Sequence, residues 1–257
     1  MRDDIRIALH NPKKTIERIC YHTLKRIGHY DYKRFILLTR SRTGSYMLLS
    51  FLDSHPSIEA HGEIFNRLED RDYKDVLKKT FSKKPYYVKA AGFKLFYYHP
   101  LDVESCGIWD ELVDMKDLHV IHLKRRNILR TLVSRKIAAQ QDVWMMKNAA
   151  VKNKNAEKAV MFTVQELKDG FEKTRSWEKN GERMFCNHRG VNVYYEDLVG
   201  NVEMEFKKIT SMLDLANIKP QTNLKRQNPE RISELITNYD ELKIAFSGGE
   251  WESFFED

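Results

Sequence analysis

The strongest constraint on this chain is a repeated pattern: a short apolar run, a polar turn, then apolar residues at helical spacing. Residues 34–39 contain Phe35-Ile36-Leu37-Leu38, four consecutive apolar side chains bounded by polar ones. A run without alternation predicts a strand buried on both faces, as in a parallel sheet covered by helices. The next segment, S-Y-M-L-L-S-F-L, predicts a helix stopped by Asp53-Ser54-His55-Pro56. The pattern recurs at L-H-V-I-H-L (118–123) with a helix over 128–139, and at V-N-V-Y-Y (191–195) with a helix carrying Met204, Phe206, Ile209, Met212 and Leu213. A short extended piece at 58–61, a helix at 73–81 and a β-rich stretch at 86–98 closed by Pro100 complete the N-terminal half. Thr163 and Glu166 form a capping box that opens a long helix with Val164, Leu167, Phe171 and Trp177. The alternation predicts an α/β fold with a central parallel sheet flanked by helices.

Residues 13–29 place Ile16, Ile19, Cys20, Leu24 and Ile27 at helical spacing, and the tail from about Asn223 is polar with a helix at 233–246 stopped by Gly248-Gly249. No linker or repeat divides the chain, so 1–257 reads as one domain. The polar stretch 140–162 is expected to be a mobile or acceptor-facing insertion.

Composition narrows the function classes. The 42% hydrophobic and 32% charged fractions are those of a globular chain, and no apolar run is long enough to span a bilayer. Three scattered cysteines form neither a disulfide framework nor a metal spacing, and the N-terminus lacks a signal-peptide pattern; a cytoplasmic location is expected. The net charge of +7 favours anionic partners, but the cations are interspersed with acids rather than clustered as a nucleic-acid tail.

The chemistry concentrates at strand ends, where ligands bind in such sheets. After the first strand comes T-R-S-R-T-G-S-Y, residues 39–46. The backbone N–H groups of Thr43, Gly44, Ser45 and Tyr46 would face a concave turn at a helix N-terminus, a setting for an anion. Arg40 and Arg42 add charge, and Ser41, Thr43 and Ser45 add hydroxyls. At the second site, H-L-K-R-R-N-I-L-R-T-L-V-S, Arg126 stands at the strand end and Ser134 about two turns into the helix, with Arg130 one turn before it. The third, H-G-E-I-F, offers His61 and Glu63 as proton acceptors. Lys94 lies on a strand and faces either the cleft or partial solvent. Trp144, Trp177 and Trp251 read as core aromatics.

These residues carry a resemblance. The loop R-S-R-T-G-S, the Arg126-Asn127…Ser134 spacing and V-Y-Y-E-D-L-V-G-N (193–201) resemble the three signatures of sulfotransferases that use 3′-phosphoadenosine 5′-phosphosulfate (PAPS), in the family's order across 39 to about 213. The tail L-K-R-Q-N-P-E-R-I-S-E-L-I-T-N-Y-D-E-L resembles bacterial carbohydrate sulfotransferases of the nodulation and trehalose type. The resemblance implies a P-loop-like sulfotransferase fold and transfer of a sulfuryl group to a hydroxyl of a carbohydrate or glycolipid, leaving adenosine 3′,5′-bisphosphate, with no metal. It implies that the opening loop grips the phosphosulfate and that Arg42 stands where the family's K-S-G-T pattern has lysine. Arg126 and Ser134 would hold the 3′-phosphate, Tyr195 would lie near the adenine, and Lys225, Arg226 and Gln227 would close from the tail. Glu63 matches the base of the carbohydrate branch, and His61 is the competing candidate from the small-phenol branch. The expected partners are a small-molecule or glycan hydroxyl acceptor and no nucleic acid, with a homodimer allowed. The rival readings are a P-loop nucleotide kinase, a non-catalytic polyanion- or nucleic-acid-binding protein, and an inactive member of the same fold. The kinase would require a Lys-Ser/Thr pair after the loop glycine, where this chain has Ser45-Tyr46.

Overall fold

The computed structural model describes residues 12–104, 106–141, 159–224 and 229–256. Its centre is a five-stranded, all-parallel sheet in the order β2-β3-β1-β4-β5. The strands are β1 (Lys33–Thr39), β2 (Ile58–His61), β3 (Ala90–Phe96), β4 (Leu118–Lys124) and β5 (Gly190–Tyr194). Helix α1 (Pro12–Arg26) precedes β1, and α2 (Ser45–Asp53) leads from β1 to β2. Helices α3 (Tyr73–Thr80) and α4 (Ile108–Asp114) flank β3, while α5 (Ile128–Gln141) and α6 (Val164–Met184) lie between β4 and β5. Then come α7 (Tyr195–Gly200), α8 (Val202–Met212), α9 (Ile232–Leu235), α10 (Tyr239–Phe246) and a 3₁₀ turn, Glu252–Phe255.

The central strand shows why its sequence is continuously apolar. Phe35 and Leu37 point into one cluster with Leu48, Leu52 and Phe206, and Ile36 and Leu38 into another with Phe93, Leu95 and Phe65. Side chains alternate faces along a strand, so a strand covered on both sides needs apolar residues at every position. A third cluster packs α5 and α6 against the C-terminal pieces through Phe171, Phe246, Trp251 and Phe255. Because β1 pairs with both β3 and β4, the ends of three neighbouring strands open onto one side.

Several expectations shift. The β-rich stretch 86–98 is strand only over Ala90–Phe96, and the tail helix is two pieces separated at Ile236. Helix α4 carries no strong periodic signal and was not anticipated. Of the apolar residues at helical spacing in 13–29, Ile19, Leu24 and Ile27 are exposed rather than packed into the core. Both arms of the Thr163–Glu166 capping box are formed. Residues 142–158 of the expected insertion, including Trp144, lie outside the described residues. No helix among the described residues is long and apolar enough to cross a membrane.

Candidate active site

The loop after β1 is closed by its own hydroxyls. Thr39 Oγ1 donates to the Leu123 carbonyl at 2.7 Å, and Thr43 Oγ1 lies 2.6 Å from Thr39 Oγ1 and donates to the Arg40 carbonyl at 2.9 Å. Arg42 and Gly44 both adopt positive φ, 70° and 87°. This turns successive backbone amides toward one side at the start of α2, where the first N–H groups have no intrahelical acceptor. Gly44 is also required sterically, since a Cβ there would lie 2.4 Å from Tyr195 Cδ2.

This loop forms one wall of a cavity of about 920 Å³. Of the expected residues, Ser41, Arg42, Gly44, Ser45, Tyr46, Glu63, Ser134 and Tyr195 line it. Arg42 Nε donates to Ser134 Oγ at 2.9 Å, so two residues 92 positions apart meet at one point. Arg125 stacks over Tyr195 with its guanidinium 4.5 Å from the ring centroid, and donates to the Arg42 carbonyl at 3.2 Å. Burial lowers the Arg42 pKa from its ordinary value.

Glu63 sits at another wall. Its Oε1 is 2.9 Å from Lys94 Nζ, off the line of a hydrogen bond, and accepts from Tyr46 Oη at 3.2 Å. Its Oε2 is 3.8 Å from His99 Nε2. Lys94 is fully buried and lies 3.3 Å from the Tyr46 ring centroid. Burial lowers the Lys94 pKa and the Glu63 carboxylate opposes that shift. Burial, then Glu63, pushes the Tyr46 hydroxyl up to about 12, so it stays a neutral donor to the carboxylate. Burial holds His99 at about 4, neutral at physiological pH.

Other expected residues are placed differently. Arg40, expected to add charge to the anion site, is instead buried and does not line the cavity: it donates to Thr174 and lies 5.6 Å from the Trp177 ring centroid. Burial lowers its pKa to about 10, which leaves it charged at neutral pH. The Thr43 hydroxyl is spent inside the loop. His61 lies outside the cavity lining, its Nε2 2.8 Å from Glu59, a carboxylate that also binds Lys84 and Tyr21. Arg126 and Ser134 do not converge. Arg126 forks onto Asp197 at 2.6 and 2.7 Å, lies over Tyr194, and is not among the residues that line the cavity, whereas Arg125 is. The reason is that Asp197, in the first turn of α7, presents a carboxylate matching the guanidinium fork. Lys225, Arg226 and Gln227 lie outside the described residues.

The sequence reading did not single out Arg125, Tyr98 or Lys173, and it assigned Trp177 to the core; all four line the cavity. Lys173 and Trp177 stand one turn apart on α6, a spacing that marks a shared face but not what the face meets. Among the described residues no group of three His, Cys, Asp or Glu side chains could hold a metal ion.

The parallel sheet, the hydroxyl-closed loop and the strand-end cavity form the fold of a sulfotransferase. The solved sulfotransferase of Alicyclobacillus acidocaldarius aligns with TM-score 0.52 over 82% of this chain and 90% of that one, at 12% identity. In sequence the chain is similar to nodulation protein H. The Rhizobium tropici protein is 25% identical over 236 residues, covering 86% of this chain and 92% of its own length. Nodulation protein H of Rhizobium meliloti strain 1021 is 24% identical over 244 residues. No protein-family model matches the chain. Fold and sequence likeness together support the sulfotransferase family read from the loop motifs, of the bacterial nodulation type.

Proposed function

We propose that this chain transfers a sulfuryl group from PAPS to a hydroxyl of a carbohydrate or glycolipid. The observation that carries the reading is the convergence of the β1 loop, the Arg42–Ser134 contact and the Glu63–Lys94 pair on one cavity. The donor supplies a sulfuryl group on a phosphosulfate anhydride; the chain's residues account for binding, charge and the proton. The amides of Gly44, Ser45 and Tyr46 and the hydroxyls of Ser41 and Ser45 suit the phosphosulfate oxygens. Arg42 neutralises charge that develops on the bridging oxygen as the S–O bond breaks. Ser134 and Arg125 are positioned for the 3′-phosphate, Tyr195 offers a ring for the adenine, and Arg126 joins only by leaving Asp197.

Glu63 takes the acceptor's hydroxyl proton while that oxygen bonds to sulfur. Lys94 and Tyr46 hold its carboxylate in place, and the Lys94 ammonium also adds positive charge where the sulfuryl group transfers. His61 is a structural partner of Glu59 in this reading. The whole chain acts as one domain, and the neutralising charges for an anionic donor are arginine and lysine rather than a metal.

The test is thermal stabilisation by adenosine 3′,5′-bisphosphate beside ATP–magnesium and an oligonucleotide, in wild type, Arg125→Ala and Arg126→Ala. Preferential stabilisation by the bisphosphate, reduced in Arg125→Ala, is expected. Equal stabilisation by all three ligands removes the donor site, and a loss confined to Arg126→Ala returns the 3′-phosphate to that residue. Glu63→Gln is expected to keep bisphosphate binding and lose most transfer, while His61→Asn retains both.

A further inference from the structure

Trp177 is the cavity residue least explained by donor binding. Its ring packs on Tyr97 at 6.1 Å and on Tyr98 at 5.2 Å, yet the side chain is only half-buried and lines the cavity. A continuous aromatic path connects it to the proton acceptor. Tyr98 accepts the Ser41 N–H at 3.2 Å and packs on Phe96 at 5.5 Å; Phe96 lies 5.3 Å from Lys94 Nζ, which pairs with Glu63. This wall comes from β3 and α6, whereas Arg42, Arg125 and Ser134 come from the ends of β1 and β4 and from α5.

The charges beside the indole are mostly positive. Lys173 Nζ is 5.2 Å from the Trp177 centroid, and both Lys173 and Arg135 are exposed cavity residues. Arg40 lies beneath, close enough for Arg135 to lower its pKa. Glu178, which interacts electrostatically with Arg40, is pushed up to about 7 by burial, so it offsets only part of that charge at neutral pH. An indole presents a flat, electron-rich face to the C–H side of a pyranose ring, while neighbouring cations favour an anionic substituent.

We propose that Trp177, with Lys173 and Arg135, forms the acceptor subsite and selects a glycan that carries an anionic group. This rests on the transferase reading above and adds the class of its acceptor. The aromatic path delivers a hydroxyl of the stacked or adjoining sugar to Glu63.

Isothermal titration of the bisphosphate-saturated protein tests this with two tetrasaccharides: one of alternating glucuronate and N-acetylglucosamine, the other neutral chitotetraose. The acidic glycan is expected to bind about tenfold more tightly than the neutral one. Trp177→Ala weakens both by about tenfold or more, and Trp177→Phe, which keeps a flat ring, loses less. The Lys173→Met/Arg135→Met double variant abolishes the preference but retains neutral-glycan binding. Equal affinities in the wild type, no binding of either glycan, or unchanged affinities in Trp177→Ala each overturn the subsite. Bisphosphate affinity measured without glycan is expected to be unchanged in every variant. Its absence in the wild type sinks the donor reading, and the glycan titrations repeated without bisphosphate still judge the subsite.

Discussion

Gly44→Ala tests the geometry of the loop most directly. The position has φ of 87°, and an added Cβ would meet Tyr195 Cδ2 at 2.4 Å and Cε2 at 2.7 Å. The left-handed conformation costs an L-residue roughly 1–2 kcal/mol. Pushing back a half-buried ring adds about 1–3 kcal/mol, the usual range for overpacking. The variant should therefore lose about 2–5 kcal/mol, or about 5–15 °C in Tm for a chain of this size. Because Arg125 stacks on Tyr195, moving the ring also moves a cation of the site, so stabilisation by adenosine 3′,5′-bisphosphate should shrink as well. Differential scanning calorimetry with and without the bisphosphate reads both effects. The Gly44→Ala/Tyr195→Ala double variant separates the two costs: it relieves the clash and leaves the backbone strain. It should be more stable than the sum of the single variants by about 1–3 kcal/mol. Strict additivity, or a wild-type Tm in Gly44→Ala, would refute the reasoning.

Three further outcomes follow from the buried charges. Burial lowers His99 to about 4 and His122 to about 3, with Glu63 opposing the first shift and Lys124 adding to the second. The unfolded chain binds these protons near pH 6.5, so their contribution to stability is full above about 6.5 and is lost as pH falls toward 4 and 3. The denaturant midpoint should drop between pH 7.5 and 5 and drop less in His122→Gln; a flat profile in the wild type contradicts this. Glu59 is pushed up by burial but pulled down further by hydrogen bonds from His61, Lys84 and Tyr21, to about 2. Its contribution is present above about pH 4.5 and disappears as pH falls toward 2. Glu59→Gln leaves the buried Lys84 unpaired and should cost about 3 kcal/mol at pH 7, with Glu59→Leu/Lys84→Met recovering part of the loss in urea melts. Lys94→Met should leave bisphosphate binding largely intact while slowing transfer at least about tenfold, measured as kcat at saturating donor; unchanged kcat would show that Glu63 needs no such partner.

Local physics made the sheet legible from sequence. A short unbroken apolar run such as Phe35 to Leu38, bounded by polar residues, suits a strand covered on both faces, and a glycine in a hydroxyl-rich turn at a helix start allows the left-handed backbone the loop adopts. Arg42 and Glu63 lie within a few residues of a strand end, and Ser134 stands further on, in the helix after β4; all three could be named because the motifs that resemble the family's signatures are short and local. Which neighbour faces the cavity depended on contacts between distant segments. Asp197 draws Arg126 outward and leaves Arg125 inside; Glu59 captures His61; Thr174 and Trp177 hold Arg40 behind the loop. Adjacent residues at a strand end point to opposite sides, so one carboxylate contributed from far along the chain decides between them. Trp177 shows the limit most plainly. Its helical spacing marks a packed face, and only the crossing of α6 beside Tyr97 and Tyr98 turns part of that face toward the cavity.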